Sequence, residues 1–445
     1  MTGRSALDWL LGDVRAFAAA AHRFPWRVAE EGGGIGVFRV LHRRILATCD
    51  ANVIHHILVT QRERWRRGVQ HRNLGILVGD GLLASEGAPW KARHDMIQPL
   101  LRRNSLAPIA PIVQRATERR LIDWEARSRT GEPIAIIGET RRLAMEVIAE
   151  HLLSLDIDPE FGARFGSQMS DALLSLRRRN TSLASAPMWA PTPLNRKLAR
   201  YRRELDAFLG AHVDARLAAG APHGSDMLGA MLDARDAING APLSRDALIN
   251  EAKTVFIAGY ETTATTLTWT LLLLAQHPGV AGRLQEELDA VLGTRAPEWD
   301  DLPRLSFTLQ IINESMRVYP AVYNIARECV EDDEIDGRRI PRGTTMLVSI
   351  YGLHRSSAWG DDVERFRPER FAPETDWPRR SFLPFGSGEH LCIGNHFAYA
   401  ELLIAVAMIA QRFRLSCVDD APVDASARIT LAPTRDFALR LEPRR

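Results

Sequence analysis

The pattern of apolar and polar positions predicts helices over most of the chain and strands near both ends. Residues 5–22 have the pattern of an amphipathic helix, and a break is expected at residues 24–26, Phe-Pro-Trp. Two short alternating runs, 37–40 and 44–48, predict a pair of strands. From about 86 to 290 the pattern is mostly helical.

The clearest helix is predicted from about Ser244, a favourable N-terminal cap, to His277, where His-Pro-Gly ends it. After residue 320 we expect short strands, then an irregular stretch at 355–390, and a last helix near 393–412. The pattern therefore predicts a mainly α-helical protein with a small β-rich part.

Composition and charge narrow the class of protein. The 445 residues are 46% hydrophobic and 25% charged, which is typical of a folded globular protein. The net charge of +2 gives no support for nucleic-acid binding. No apolar run approaches the ~20 residues that span a bilayer, and the first residues lack the apolar segment of a signal peptide. We therefore expect a soluble cytoplasmic protein without a membrane anchor. The strong preference for arginine over lysine suggests a bacterial source.

Four cysteines are too few and too scattered for a disulfide scaffold or a zinc site of the C-x-x-C type. Cys392 differs from the others because it lies in a glycine-rich turn at the start of the last predicted helix. The helix N-terminus is expected to favour the thiolate form, and a thiolate beside an aromatic ring suits an axial ligand of heme iron. From these residues alone, a buried and inert cysteine remains an open alternative.

Residues 385–394, Phe-Gly-Ser-Gly-Glu-His-Leu-Cys-Ile-Gly, resemble the heme-thiolate signature of the cytochrome P450 family. His390 stands where the family often has arginine. The resemblance implies that Cys392 is the axial ligand to the iron of heme b (iron protoporphyrin IX). Neighbouring residues would also contact the cofactor: Phe385, Gly386, Ile393 and Gly394.

A second resemblance is Glu314-Ser-Met-Arg317, followed by Tyr-Pro and, further on, by a Pro-Glu-Arg-Phe segment that contains Arg370. The E-x-x-R spacing alone is weak evidence, because it also occurs at 139–142 and 364–367. In the family these three charged residues form a buried network that supports the cysteine loop. The alternative is an exposed helix pair that contributes little.

The third resemblance, Ala258-Gly259-Tyr260-Glu261-Thr262-Thr263, lies in the middle of the long helix. Glycine and paired threonines are poor helix formers, and threonine hydroxyls can bond to the carbonyl four residues earlier and open a helix locally. The resemblance implies that Ala258 and Gly259 contact the heme, and that Glu261 and Thr262 deliver protons during oxygen activation.

Trp90 and His94 are one helical turn apart, and family members place such a pair at a heme propionate. Arg327 and His390 are the other two residues that the resemblance assigns to the propionates. Taken singly, each histidine could equally be an ordinary surface or core residue.

The resemblance covers most of the chain and implies the cytochrome P450 fold: mainly α with a small β-rich lobe (α+β), in a single domain over residues 1–445. We expect the β-rich lobe to be formed by about 26–60, 321–350 and 415–445, and the helical lobe by about 86–320 and 393–412.

The activity implied by the resemblance is monooxygenation: one atom of O2 enters an apolar small organic substrate by hydroxylation or epoxidation. Electrons would come from NAD(P)H through a separate protein, either a ferredoxin with its reductase or a flavodoxin, because no flavin or iron–sulfur segment is visible. We expect a monomer. An H2O2-driven peroxygenase and a non-catalytic heme-binding sensor are the alternatives, and the Glu261–Thr262 pair argues against the peroxygenase.

Residues expected to line the substrate pocket are mainly apolar and match family positions: Leu82, Leu83, Tyr260, Val322, Tyr323 and Leu431. A terpenoid, steroid, fatty acid or polyketide would fit such a pocket. The segment 161–205 is expected to form a lid, and its three consecutive arginines, 177–179, fit either a carboxylate on the substrate or simple solvent exposure.

Four basic residues lie on or just beyond the predicted helix that contains Trp90: Lys91, Arg93, Arg102 and Arg103. They either steer an acidic redox partner to this surface or form an ordinary solvent-exposed charged face.

Overall fold

The computed structural model describes residues 13–40, 43–181, 186–220, 224–235 and 240–444, and α-helices form most of the regular structure in these ranges. The helices, in chain order, are α1 (Val14–Ala19), α2 (Phe24–Glu31), α3 (Ala51–His55), α4 (Val69–Val78), α5 (Gly87–Ile97), α6 (Ile109–Arg129), α7 (Ile136–Leu153), α8 (Pro159–Thr181), α9 (Pro193–Ala219), α10 (Met227–Asp233), α11 (Arg245–Gln276), α12 (Pro278–Val291), α13 (Ser306–Val318), α14 (Ile350–Leu353) and α15 (Asn395–Arg412).

The strands are short and lie mostly near the two ends of the chain. They are β1 (Ile35–Val40), β2 (Arg43–Thr48), β3 (Trp65–Arg67), β4 (Ile134–Ala135), β5 (Asn324–Cys329), β6 (Asp333–Ile335), β7 (Arg338–Ile340), β8 (Thr345–Ser349), β9 (Phe413–Cys417), β10 (Ala425–Ala427), β11 (Leu431–Pro433) and β12 (Ala438–Pro443). The mainly α-helical architecture with small sheets confirms the predicted fold class.

The largest sheet joins the N-terminal strands to the strands after residue 320, in the order β1-β2-β8-β5-β3. The predicted pair β1–β2 is antiparallel, with Ile35 opposite Thr48, and β2 runs parallel to β8. Strand β3 was not predicted, because three residues with two arginines show no alternating apolar run. It forms because its backbone pairs with β5, where Arg67 lies opposite Arg327.

The predicted break at residues 24–26 is wrong, since Phe24 begins helix α2. Pro25 is tolerated because it lies in the first turn, where no intrahelical N–H donor is needed. Of the helix predicted over 5–22, the structure contains α1 at Val14–Ala19, and residues 1–12 lie outside the described part.

Helix α11 passes through the centre of the helical body. It begins where predicted, because the Ser244 side chain accepts a hydrogen bond from the N–H of Ala247, and it ends at Gln276. It packs against α7, α9, α13 and α15, and the last three turns are buried on every side. No helix in the described ranges is both long enough and apolar enough to cross a membrane. The central position of α11 places its middle turns over the loop that carries Cys392.

Candidate active site

A cavity of about 490 Å³ lies between the middle of α11 and the loop that precedes α15. One wall is formed by Ala258, Gly259 and Thr262, and the opposite wall by the cysteine loop. Residues of that loop that face the cavity are Phe385, Gly386, His390, Cys392, Ile393 and Gly394. The structure therefore brings the two glycine-containing segments of the sequence to opposite sides of one cavity.

The cysteine loop is a tight turn held by its backbone. The N–H of Cys392 donates to the carbonyl of Phe385 at 3.0 Å, and Gly386 and Gly388 both have positive φ, at 77° and 74°. A Cβ atom on Gly388 would lie 2.0 Å from the carbonyl oxygen of Leu58, so only glycine fits there.

Cys392 lines the cavity and is exposed to it. The protein atoms around the thiol partly desolvate it, which raises its pKa, and the hydrogen bond from the Gly394 N–H lowers it. The N–H at the start of α15 therefore acts in the expected direction, toward the thiolate, but loss of hydration outweighs it. A bound metal cation would reverse this balance, because coordination deprotonates a thiol.

The charged residues predicted as a network lie together in the core behind this loop. Arg317 donates to both carboxylate oxygens of Glu314 at 2.7 Å, and neither side chain is exposed to solvent. Arg370 approaches the same carboxylate at 3.4 Å. Arg317 also donates to the carbonyl oxygen of His354 at 3.0 Å. Every charge in the group therefore has a partner, the condition under which buried ions are tolerated.

His354, which sequence reasoning missed, connects this network to the cysteine loop. Its Nε2 accepts a hydrogen bond from the backbone N–H of Leu383 at 3.0 Å, two residues before Phe385. Burial and the charges of Arg317 and Arg355 lower the pKa of His354 to about 3, so the ring stays neutral and can accept. A single histidine carries no sequence signal for such a role.

In the middle of α11 the Thr262 hydroxyl donates to the Ala258 carbonyl at 2.7 Å, the predicted back-bond. The helix nevertheless remains α-helical throughout, so the predicted local opening is absent. A Cβ at Gly259 would lie 2.9 Å from Cδ1 of Ile148 on α7, so that side chain would have to move.

The Glu261 carboxylate is buried and points away from Thr262 toward α7. Its Oε1 lies 3.3 Å from Nη2 of Arg141 and 3.4 Å from the hydroxyl of Thr430, whereas no described residue bonds to Oε2. Sequence reasoning missed Arg141, because the pairing joins two helices far apart along the chain.

A cluster of aromatic and basic side chains lies at one edge of the cavity. The Trp90 ring lies 4.9 Å from the His94 ring and 4.3 Å from the His390 ring, centroid to centroid. His390 Nδ1 lies 3.0 Å from Nη2 of Arg67. Arg327 lines the same cavity, and its burial and the charge of Arg67 lower its pKa to about 10. The structure therefore places all four residues assigned to the propionates, Trp90, His94, Arg327 and His390, at the same edge of the cavity.

Two members of this cluster, Arg67 and His71, were not predicted. Burial and the charges of Arg327 and Arg67 lower the pKa of His71 to about 3. Nδ1 of His71 is buried without a hydrogen-bond partner among the described residues, whereas Nε of Arg67 lies 3.0 Å from Oε1 of Glu86. Arg67 lies on β3, the strand that the sequence pattern did not predict, and this strand places it at the cavity edge. Arg67 was therefore missed because β3 was missed.

These features fit heme. The two segments that line the cavity present glycines to a flat macrocycle, and its two carboxylates would lie against the basic cluster, where Nδ1 of His71 has no described partner. Cys392 lines the same cavity as Thr262, and its sulfur is the group that would hold the iron.

Of the predicted pocket residues, Leu82, Leu83, Val322 and Tyr323 line the cavity. The prediction is wrong for Tyr260 and Leu431, which are fully buried in the packing around α11. The Tyr260 hydroxyl points toward the Gly166 carbonyl at 3.4 Å, and the Leu431 carbonyl accepts from Trp269 at 2.7 Å. The segment 428–430, just before β11, lines the cavity in place of Leu431.

The three arginines of the predicted lid have different surroundings. Arg177 lines the cavity, Arg178 is exposed, and Arg179 donates to the carbonyl of Ala186 and to Asn195. The part of the lid at 182–185 lies outside the described residues.

The basic group near Trp90 is smaller than expected. Arg93 points inward and lies 3.4 Å from the buried Glu251, while Lys91 pairs with Asp95 at 2.6 Å. Arg102 and Arg103 are exposed, and their role in docking a partner stays a prediction.

Comparison with known proteins places this geometry in a family. The family model described as Cytochrome P450 matches residues 7–439. Pentalenene oxygenase from Streptomyces avermitilis is 31% identical over 89% of this chain and 87% of its own length. Cyclooctatin synthase from Streptomyces melanosporofaciens is 29% identical over 90% of this chain and 86% of its own.

A crystal structure of a cytochrome P450 (CYP102L1) superposes with a TM-score of 0.84 at 25% identity and covers 94% of this chain and 93% of the other. The family match, the named relatives and the shared fold show that this chain belongs to the cytochrome P450 family and is a heme monooxygenase.

Proposed function

We propose that this protein uses O2 to hydroxylate or epoxidise an apolar substrate with a terpenoid skeleton. Electrons come from NAD(P)H through a separate protein, a ferredoxin with its reductase or a flavodoxin. The observation that carries the proposal is the placement of Thr262 and Cys392 on opposite walls of one mainly apolar cavity. The named relatives support the substrate class, since they include a pentalenene oxygenase and a cyclooctat-9-en-7-ol 5-monooxygenase.

Heme b, held by the Cys392 sulfur, supplies the activation of dioxygen and the transfer of one oxygen atom to carbon. Trp90, His94, Arg327 and His390 would hold the propionates, assisted by Arg67. Because these donors come from β3, α5, β5 and the cysteine loop, they would tie both lobes to the cofactor.

The Thr262 hydroxyl would hold a proton at the cavity wall. Its bond to the Ala258 carbonyl fixes the oxygen there, where its lone pairs can accept a hydrogen bond, and the hydroxyl would turn from that carbonyl to donate its proton to the cavity. Glu261 would resupply that proton, since Oε2 has no described partner and is free to rotate toward the cavity. Arg141, whose side chain is 25% exposed, would lead from this buried carboxylate to solvent.

The remaining cavity lining excludes water from the reacting carbon. Leu82, Leu83, Val322 and Ile429 bring apolar surface to the substrate. Burial of apolar area is worth about 25 cal/mol per Å², so a hydrocarbon skeleton can bind here without any specific polar contact.

The test is a spectrum followed by turnover. Reduced, CO-bound protein should show the strongly red-shifted Soret band of a thiolate-ligated heme, and Cys392→Ser should lose it. With a surrogate ferredoxin, its reductase and NADPH, a sesquiterpene or diterpene hydrocarbon should then gain one oxygen atom.

Three outcomes would contradict the proposal. Retention of the band in Cys392→Ser would mean that another residue is the ligand. Product formation with H2O2 but not with the electron-transfer pair would indicate a peroxygenase. A normal band without turnover or any ligand-induced spectral change, across a terpenoid panel, would indicate a sensor.

A further inference from the structure

Glu251 is a buried carboxyl group that the proposed chemistry does not use. It lies on α11, eleven residues before Thr262, a distance of ~16 Å along the helix axis. Glu251 is among the residues that line the cavity, and its side chain has no exposed surface. Burial raises the pKa of Glu251 to about 7, although the N–H of Leu82 and the charge of Arg93 lower it in part. Because this carboxyl group is too far from Thr262 to pass it a proton, another role has to be sought in its contacts.

The partners of Glu251 belong to a loop that forms part of the cavity lining, the wall segment Leu82–Leu83. The backbone N–H of Leu82 donates to Oε2 of Glu251 at 2.9 Å and to Oε1 at 3.1 Å. Nε of Arg93 lies 3.4 Å from Oε1. The carboxyl group therefore joins α11 to the wall segment and to α5, the helix that also carries Trp90.

Arg67 holds the wall segment from the other side. Its Nη1 donates to the carbonyl of Leu82 at 3.2 Å and to that of Leu83 at 2.8 Å. Nη2 of the same guanidinium group lies 3.0 Å from Nδ1 of His390, at the heme edge. The backbone of the wall segment is therefore bonded to buried side chains on both sides, although the segment belongs to no helix or strand.

Two glycines bring the backbone before the wall segment directly onto α11. A Cβ on Gly81 would lie 2.2 Å from Oγ1 of Thr254 and 2.7 Å from the carbonyl oxygen of Asn250. Gly79 has a φ of 68°, and its Cβ would lie 2.3 Å from Oδ1 of Asn250. This close approach occurs at the turn of α11 that carries Glu251, so packing and hydrogen bonding fix the same short stretch of chain.

We propose that Glu251 is a positioning residue that, together with Arg67, fixes the wall segment Leu82–Leu83 and so lets this part of the cavity select substrates by shape. An apolar surface that is already fixed needs no further ordering when a ligand binds, and it excludes a skeleton that does not fit it. This inference rests on the proposed monooxygenase function and deepens it, because the wall segment would limit how a substrate can lie over the heme.

The test measures the binding of two azoles to the heme-loaded protein from the shift of its Soret band. Imidazole is small and reports on the iron, whereas clotrimazole also brings a bulky triarylmethyl group into the cavity. Glu251→Leu removes the acceptor for the Leu82 N–H and should weaken clotrimazole by about tenfold while leaving imidazole unchanged. Glu251→Gln keeps an oxygen acceptor and should retain most of the affinity for clotrimazole.

Lys253→Met is the control for a general disturbance of α11. Lys253 is 1% exposed and pairs with Asp206, but it lies outside the described cavity lining. Its substitution should lower the urea midpoint and leave the affinities for both azoles unchanged.

Gly81→Ala tests the wall segment without changing Glu251. The new Cβ would push the segment away from α11, so clotrimazole should bind more weakly and imidazole as before. Gly75→Ala is the matched control, because its Cβ would lie at an ordinary distance of 3.5 Å from that of Ala84. It should change neither affinity. If Glu251→Leu does not load heme, Gly81→Ala decides, and an unchanged affinity for clotrimazole in that variant overturns the inference.

The inference is also overturned if Glu251→Leu binds clotrimazole as tightly as the unmodified protein, or if Glu251→Gln or Lys253→Met loses as much affinity as Glu251→Leu. The CO-bound spectrum of each variant shows that it is loaded with heme. Azole binding needs heme but no turnover, so the two proposals fail separately. The expected azole pattern without any terpenoid product would refute the proposed function and not the fixed wall segment. Normal turnover with unchanged clotrimazole binding would refute the inference alone.

Discussion

Some residues of this protein are buried ions, whereas others are proposed to hold a proton in the cavity. Substitution of the first kind should lower stability, and substitution of the second kind should lower activity. Arg317 is fully buried and bonds to Glu314 and to three backbone carbonyls, at residues 354, 363 and 365. Its loss would leave the buried Glu314 carboxylate with the longer contact to Arg370, at 3.4 Å, and the backbone N–H of Arg367. The Thr262 hydroxyl, in contrast, bonds only to a carbonyl of its own helix. Its loss should therefore affect the oxygenation reaction more than the stability of the fold.

Replacement of Arg317 by leucine should destabilise the protein by about 3–5 kcal/mol, since removal of the partner that bonds both Glu314 oxygens breaks a buried ion pair and leaves only the longer contact to Arg370. The measurement is the midpoint of urea unfolding followed by circular dichroism. Arg367→Ala is the matched control, because Arg367 pairs with Asp362 at 3.3 Å but is 49% exposed, and its loss should cost less than about 1 kcal/mol. Equal shifts of the urea midpoint for the two variants would mean that the buried network contributes no more to stability than an exposed ion pair.

Substitution of Thr262 by alanine should leave the CO-bound spectrum intact but reduce the product formed per NAD(P)H by about tenfold or more, with the electrons lost to H2O2 or water. Thr270→Ala removes the same kind of helical back-bond, at 2.9 Å to the Thr266 carbonyl, away from the cavity. It should retain normal coupling. Normal coupling in Thr262→Ala would exclude this hydroxyl from the proton path.

At the scale of elements, the site depends on close approach between backbones. The turn Gly388–His390 in the cysteine loop packs against His56–Thr60, and the carbonyl of Leu58 occupies the space that any side chain at 388 would need. Likewise α7 approaches α11 at Gly259. These glycines set the distance between elements, whereas most of the other glycines with positive φ only allow a turn.

Gly388→Ala should therefore destabilise the cysteine loop by at least about 2 kcal/mol, from backbone strain and from the clash with Leu58, and should reduce heme uptake. Gly343→Ala tests strain alone, because Gly343 has a similar φ of 84° but open space where a Cβ would be. It should cost about 1 kcal/mol. The readouts are the urea midpoint and the heme content after purification. A cost for Gly388→Ala no larger than that of Gly343→Ala would show that the loop simply shifts away.

At the scale of the whole molecule, several histidines are buried in neutral form in different parts of the fold. Burial is the largest cause in each case, and it lowers the pKa of His71 and His354 to about 3 and that of His22 and His151 to about 4. In the unfolded chain they would titrate near 6.5. Between these values the unfolded state binds more protons than the folded state.

Stability should therefore be full above pH 6.5 and fall as the pH drops from about 6.5 toward 4, by up to about 1.4 kcal/mol per pH unit for each histidine. Urea midpoints at pH 7, 6 and 5 measure this slope. His151→Leu, which removes one such group, should flatten it. A midpoint that stays constant from pH 7 to pH 5 would show that these rings take up protons in the folded state.

The sequence pattern by itself determined the mainly helical fold class and the boundaries of α11 and α15, while the resemblance to the family indicated the segments that line the cavity. These depend on local signals: a capping serine, a helix-ending His-Pro-Gly, the turn around Cys392, and an apolar period that runs for many turns. Such signals act within a few residues of each other, so they can be read along the chain.

Only the tertiary structure decided which side chains meet. Arg67 reaches the heme edge on a strand that exists because β5 pairs with it, and Arg141 reaches Glu261 across two packed helices. Tyr260 and Leu431 were misplaced because the rotation of α11 and the packing of β11 decide which side chains face the cavity. The net direction of the Cys392 pKa shift also depends on the tertiary structure, since desolvation is set by every surrounding atom, whereas the helix that follows contributes only the Gly394 N–H.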